Sequence, residues 1–229
     1  MKGKFIVIDG VDGSGKGTQT RLLIKRLKQE NISVLEADFP RYGEKSAAML
    51  EEYLNGRLGS IEEIDAYQAS VLYAIDRFAA SKEIKEALSN RVIVISNRYV
   101  SSNKIHQSTK IEDEEKLNKF LEWLEDLEYN KLKIPRPDKV IFLNMNYKIG
   151  RELVLKKEAE ERKYLDGKKR DLHEDDEEHM RKAHESACKL AKKYDDWIEI
   201  KCDDGVKPLS LEDIHKKVYE VAKKIIEDD

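Results

Sequence analysis

The stretch Gly10-Val11-Asp12-Gly13-Ser14-Gly15-Lys16-Gly17-Thr18 has residue types and spacing suited to holding phosphate. Glycines let successive backbone N–H groups turn inward as a nest for an anion. A helix that starts here adds unsatisfied donors and partial positive charge. Lys16 supplies a point charge for the β- and γ-phosphates of a nucleoside triphosphate such as ATP. An apolar run precedes the stretch and a helical pattern follows it, the context that separates a G-x-x-x-x-G-K phosphate loop from a chance glycine-rich turn. The next residue in this pattern is Ser or Thr, whose hydroxyl ligates Mg²⁺; here it is Gly17. A Mg²⁺ cofactor is therefore expected to keep its waters and ride on the ATP phosphates, with no protein side chain as ligand.

A phosphate loop does not say what receives the phosphate. Open parallel sheets bind ligands at the carboxyl ends of their strands, so the acceptor is read from those ends. Phe39-Pro40-Arg41-Tyr42 follows the second strand, and Asn97-Arg98-Tyr99-Val100-Ser101-Ser102-Asn103 follows the third. Between them runs a long helical pattern. Its Ile64, Val71, Leu72, Ile75, Phe78 and Ala79 form an apolar stripe expected to face the core. Tyr73 and Arg77, one turn apart, share a face off that stripe. A flat ring beside a guanidinium fork suits a base and a phosphate; a core tyrosine beside a surface arginine is the plainer alternative.

These residues are positioned by alternating elements. Strands are predicted at Lys4–Ile8, Ser33–Ala37, Arg91–Ser96, Lys139–Leu143 and Trp197–Ile200. Most are unalternating and β-branched, as suits strands buried on both faces of a parallel sheet. Helices are predicted at 15–30, 44–55, 62–89, 112–128, 147–162, 174–195 and 210–227. The fold class expected is α/β: an open, parallel, five-stranded sheet flanked by helices, in one domain over 1–229. Charge peaks at 151–196, where 27 of 46 residues are Lys, Arg, Asp or Glu. Solvated helices explain that, or a charged flap over an anion.

The chain holds 43 basic and 46 acidic residues, a net charge of −3, which argues against coating a nucleic acid. No basic stripe with interleaved aromatics supports a nucleic-acid partner. Neither an apolar run of membrane-spanning length nor a signal-peptide pattern is read from the sequence. Cys188 and Cys202 lack metal-ligand spacing, and a cytoplasmic location with free thiols is expected.

Taken in order, Gly10–Lys16, Phe39-Pro40-Arg41-Tyr42-Gly43, Leu72-Tyr73-Ala74-Ile75-Asp76-Arg77, Asn97–Asn103 and Asp171-Leu172-His173-Glu174 resemble the thymidylate kinase family over nearly the whole chain. Gly15-Lys16-Gly17-Thr18-Gln19 is also similar to adenylate kinases, so the loop alone does not choose. The resemblance implies a P-loop NTPase-type nucleoside monophosphate kinase domain with a small charged lid at about 160–173. It implies phosphorylation of dTMP to dTDP with ATP and Mg²⁺ in dTTP biosynthesis, by a homodimer whose interface involves helices near 112–129.

By the same resemblance, Gly10 to Thr18 bind ATP, Tyr73 stacks on thymine and Arg77 holds the dTMP phosphate. Arg98 lies near the phosphates of both substrates, Asn103 reads the base edge, and His106 and Gln107 lie near base or sugar. Asp12 approaches the sugar hydroxyl, and Phe39 and Tyr42 wall the acceptor site. Some family members carry a catalytic arginine in the phosphate loop, where this chain has Gly13. Others carry it on the lid, where Arg162 and Arg170 are the candidates beside Lys168 and Lys169. The catalytic set expected is Lys16, Arg98, Arg162 and Arg170. The family's Asp-Arg-Tyr is here Asn97-Arg98-Tyr99, which puts a base or metal role at position 97 in doubt. Two alternatives stay open: a kinase for AMP or dUMP, and a nucleotide-binding regulator with little turnover. Adenine contacts are expected near Lys201–Gly205.

Overall fold

The computed structural model describes residues 3–60, 63–161 and 177–228, with 157–161 described by backbone alone. Five parallel strands form one sheet: β1 (Phe5–Gly10), β2 (Val34–Asp38), β3 (Ile93–Asn97), β4 (Lys139–Asn144) and β5 (Trp197–Lys201). Their order is β2-β3-β1-β4-β5, which puts β1 at the centre. Every residue of β1 is buried, which explains its unbroken apolar run: both faces are covered. Alternate residues feed opposite layers. Phe5 and Val7 join Val94, Val140 and Phe142 on one face. Ile6 and Ile8 join Ile93, Ile95 and Ile141 on the other. Each such side chain, fully buried, contributes about 1.5–3 kcal/mol.

The helices are α1 (Lys16–Gln29), α2 (Ala48–Leu54), α3 (Ala66–Ser89), α4 (Val100–Gln107), α5 (Glu114–Glu125), α6 (Tyr147–Glu161), α7 (Glu177–Lys193) and α8 (Leu211–Glu227). Leu23, Ile24 and Leu27 of α1 and Ile214, Val218, Ala222 and Ile225 of α8 cover one layer. Phe120, Leu121 and Leu124 of α5 and Ala183, Ala187 and Leu190 of α7 help fill the other. The charges of α7 therefore occupy the outer side of an amphipathic helix.

Three sequence expectations change. The helix expected at 44–55 starts as a 3₁₀ turn, Lys45–Ala47, before α2. The long helix starts at Ala66, where Asp65 and Gln68 make a reciprocal capping box. Helix α4 was not expected; it occupies the segment after β3, where no element was predicted.

A fourth change concerns which face of α3 is inside. Its buried positions include Ala66, Ala69, Ser70, Ala74, Asp76, Arg77, Ala80 and Ser81. Ile75 and Phe78 of the predicted core stripe are 47% and 50% exposed. Small residues on the inner face let α3 approach α4 and leave room for the polar groups of Asp76 and Arg77. Arg77 is only 1% exposed, so it is not a surface arginine.

Candidate active site

The phosphate loop links the C-terminal end of β1 to α1. Gly13 and Gly15 have φ of 80° and 86°, left-handed values that favour glycine. At Gly13 space is closed as well: a Cβ there would collide with the backbone of Gly150 on α6. No side chain, and so no arginine, fits at position 13 in this conformation. Gly15 is the N-cap of α1 and makes no side-chain cap; the first turn holds no acid. The N-terminal donors of α1 are thus suited to an anion.

Lys16 Nζ donates to the Val11 carbonyl at 2.8 Å and lies 3.3 Å from Asp12 Oδ1. Burial lowers the Lys16 pKa, and the nearby Arg98 charge lowers it further; Asp12 opposes both, leaving it at about 8. Burial raises the Asp12 pKa, but Arg98 and Lys16 outweigh it and hold the carboxyl well below its usual range.

A cavity of about 470 Å³ opens beside this loop. Asp12, Phe39, Tyr42, Tyr73, Arg77, Arg98, Asn103, His106 and Gln107, each expected at the acceptor site, all line it. They come from the loop, the ends of β2 and β3, α3 and α4. Arg98 has φ 62°, an uncommon conformation for a residue with a side chain. Its amide donates to the Ile8 carbonyl at 3.0 Å, and Ser96 Oγ donates to its carbonyl at 2.6 Å. Its guanidinium pairs with Asp12 and donates to His106 Nε2 at 3.1 Å. Because arginine only donates, His106 Nε2 accepts, and its Nδ1–H faces His179 Nε2 at 3.4 Å. Burial, then Arg98, pushes the His106 pKa well below its ordinary value, so the ring is neutral.

Arg77 lies against a carboxylate that the sequence did not reveal. Its Nε is 3.1 Å from both Glu128 oxygens, and its Nη2 pairs with Glu128 Oε1. Glu128 is fully buried in a π-helical turn, Asp126–Lys131. Asn103 Nδ2 donates to the Ser70 carbonyl at 3.2 Å, which fixes its amide. Gln107 Oε1 is buried and has no hydrogen-bond partner among the described residues.

Four further residues were not singled out. Arg41 donates to Asp76 Oδ1 at 3.0 Å and to Ser46 Oγ at 2.7 Å, which ties the Phe39-Pro40-Arg41 segment to α3. Buried Asp9 accepts from Ser101 Oγ at 2.5 Å and Ser102 Oγ at 2.9 Å, which docks α4 on β1. Asp38 lines the cavity and accepts from Asn97. A chain-distant carboxylate opposite an arginine leaves no local pattern; Arg41 and Asp76, lying inside quoted motifs, could have been found.

A second cavity, about 510 Å³, lies at the ends of β4 and β5, lined by Asn144, Asn146, His184, Lys201, Asp203, Asp204 and Gly205. Because β1 lies between β3 and β4 in the sheet, the phosphate loop separates the two cavities. Arg162, Lys168, Lys169, Arg170 and Asp171-Leu172-His173-Glu174 lie outside the described residues.

A family model described as thymidylate kinase matches residues 8–218. A thymidylate kinase of Mycobacterium tuberculosis is 32% identical over 149 residues, 65% of this chain and 69% of that protein. One from Plasmodium falciparum is 29% identical over 231 residues, 98% of this chain and 91% of that protein. The solved structure of thymidylate kinase from Candida albicans superposes with a TM-score of 0.72 at 19% identity, covering 100% of this chain and 96% of that one, a likeness of fold. With the model spanning everything from β1 into α8, the chain belongs to the thymidylate kinase family.

Proposed function

We propose that this protein transfers the γ-phosphoryl group of ATP to dTMP, giving ADP and dTDP. The observation that carries the reading is the pair of cavities flanking one phosphate loop. A donor base on the β4–β5 side and an acceptor on the β2–β3 side bring two phosphates together above Lys16. The β4–β5 cavity includes Lys201, Asp203, Asp204 and Gly205, the segment expected to contact adenine.

On the acceptor side, Tyr73 offers a flat face for stacking a pyrimidine. Asn103 and Gln107 offer hydrogen-bonding groups to its edge. Family resemblance puts Arg77 on the acceptor phosphate. Glu128 already balances its charge, which favours a neutral carbonyl of the base instead. Lys16 and Arg98 share the carboxylate of Asp12 and are the cations suited to the transferring phosphoryl group. A loose transition state spreads charge over equatorial oxygens, and fixed cations stabilise it. The block at Gly13 supports the reading that lid arginines, Arg162 and Arg170, complete this set.

Mg²⁺ fits the residues present. A side chain at position 17 would have open space, its Cβ lying 3.7 Å from Asn97 Nδ2, and that room at the start of α1 suits an ion that keeps its waters and rides on nucleotide phosphates. Bound there, it would neutralise charge on the β- and γ-phosphates. A homodimer is supported by the outward Ile75 and Phe78 of α3. A reducing, cytoplasmic setting is supported by two free thiols, Cys188 and Cys202. No helix among the described residues is long and apolar enough to cross a membrane.

The test is ADP release with ATP, Mg²⁺ and each of dTMP, dUMP, AMP and CMP. dTMP is expected to give the highest kcat/KM. Equal or better turnover of AMP overturns the acceptor assignment, and nucleotide binding without ADP release favours a regulator.

A further inference from the structure

The two departures from the family pattern, Gly17 and Asn97, occur at one place. A Cβ built on Gly17 would lie 3.7 Å from Asn97 Nδ2, its nearest neighbour. The motif thus lacks a hydroxyl on one side of this spot and a carboxylate on the other. A third residue sits with them. Asp38 is the register partner of Asn97 across β2 and β3, and neighbours on parallel strands project to the same face. Asn97 Nδ2 donates to Asp38 Oδ1 at 2.8 Å. Asn97 Oδ1 is buried with no hydrogen-bond partner among the described residues. Asp38 itself is exposed and lines the acceptor cavity together with Asn97 and Arg98.

We propose that Asp38 supplies the carboxylate that position 97 lacks, acting on the hydration shell of the divalent cation that accompanies the phosphate donor. Asn97 is a positioning residue: its Nδ2 aims Asp38, and its bare Oδ1 accepts from a cation-bound water. Both groups, one carboxylate and one amide oxygen, are hydrogen-bond acceptors, as the hydrogens of water held by Mg²⁺ require, and Mg²⁺ usually keeps several of its waters. The missing side chain at Gly17 leaves room for the ion's waters. The inference rests on the reading of the phosphate loop as a Mg²⁺-ATP site, and it moves the acidic function by one strand without changing the sheet edge that delivers it.

The test uses Mn²⁺ as a paramagnetic probe, titrated into the full chain with a non-hydrolysable ATP analogue and followed by electron paramagnetic resonance. Asp38→Asn is expected to weaken Mn²⁺ binding in this ternary complex about tenfold or more, in line with outer-shell metal partners. The melting temperature should stay at its wild-type value, since the exposed side chain is replaced by an isostere. The exchange variant Asp38→Asn/Asn97→Asp returns the carboxylate to the motif position and is expected to restore Mn²⁺ affinity. Wild-type affinity in Asp38→Asn, or an exchange variant as weak as the single one, overturns the proposal. Asp38-dependent Mn²⁺ affinity in a chain that does not turn over dTMP supports it and removes only the acceptor assignment. dTMP turnover with Asp38-independent Mn²⁺ affinity removes it and leaves that assignment standing.

Discussion

The phosphate loop and the acceptor cavity touch, yet they are built in opposite ways. The loop is one short run of chain whose function resides in backbone: left-handed glycines, a close approach to Gly150, and a helix start without a side-chain cap. The cavity is assembled from side chains brought together from distant positions. Arg77 meets Glu128 across 51 residues, Arg98 meets Asp12 across 86, and Arg41 meets Asp76 across 35. Fixed cations in a half-buried site need fixed anions, because an unpaired buried charge is expensive. The loop thus presents backbone donors with no side-chain cap, its one lysine leaning on Asp12, whereas the cavity presents recognition groups whose charge is balanced by partners far away in the chain.

The sharpest way to break this contrast is Glu128→Ala. It leaves Arg77 buried and unpaired, for which a loss of about 3–5 kcal/mol is expected. Urea denaturation measures it; a change under 1 kcal/mol shows that Arg77 reaches water, and the cavity is then not built on paired charges. Arg98→Ala comes next. It removes a donor suited to the transferring phosphate and releases Asp12, and kcat/KM should fall roughly 10²–10³-fold, the cost of losing one preorganised donor. Arg98 also lies in a packed network with Ser102 and His106, so a melting curve must show the variant folded.

The third prediction sharpens the loop side. Lys16, lowered to about 8 by burial and by Arg98, carries its charge below that pH and loses it above. Affinity for ATP should hold from pH 6.5 to 7.5 and then fall, approaching about tenfold weaker per pH unit well above 8. A bound triphosphate stabilises the ammonium, so binding near pH 8 should take up a proton. Calorimetry in buffers of differing ionisation enthalpy reads that uptake, and its absence places the lysine's titration elsewhere. His106, held neutral, should add no step in this range.

The same contrast explains what the sequence reveals. The loop's conformation was legible, because a turn of left-handed glycines between a strand and a helix shows itself in the glycines and the flanking periodicities. The sheet was legible because doubly buried strands read as apolar runs. The nine acceptor-side residues were reachable by family resemblance, and all face one cavity. Helix α4, which carries three of them, was not legible: Val100-Ser101-Ser102-Asn103 has weak helix propensity, and what docks it is Asp9 through Ser101 and Ser102. The orientation of α3 was misread because hydrophobicity marks the core only when the buried face is apolar. Here the inner face is small and polar to serve the site, and Ile75 and Phe78 point outward. Glu128 was invisible because a buried acid is defined by its partner.

The smallest effect separates the local from the distant control of α3. Asp65 accepts from Gln68 N at 2.8 Å, and Gln68 Oε1 accepts from Asp65 N at 3.0 Å, closing the helix start. Asp65→Ala removes that cap, and about 1 kcal/mol of stability should go with it. Tyr73 and Arg77 lie two to three turns further on, where Glu128 and α4 hold the inner face. If those long-range contacts set the cavity, KM for dTMP and kcat stay at wild-type values while the denaturation midpoint falls. A KM that rises with the loss of the cap would mean that the helix is placed from its N-terminus, and that the cavity, like the phosphate loop, depends on local backbone chemistry.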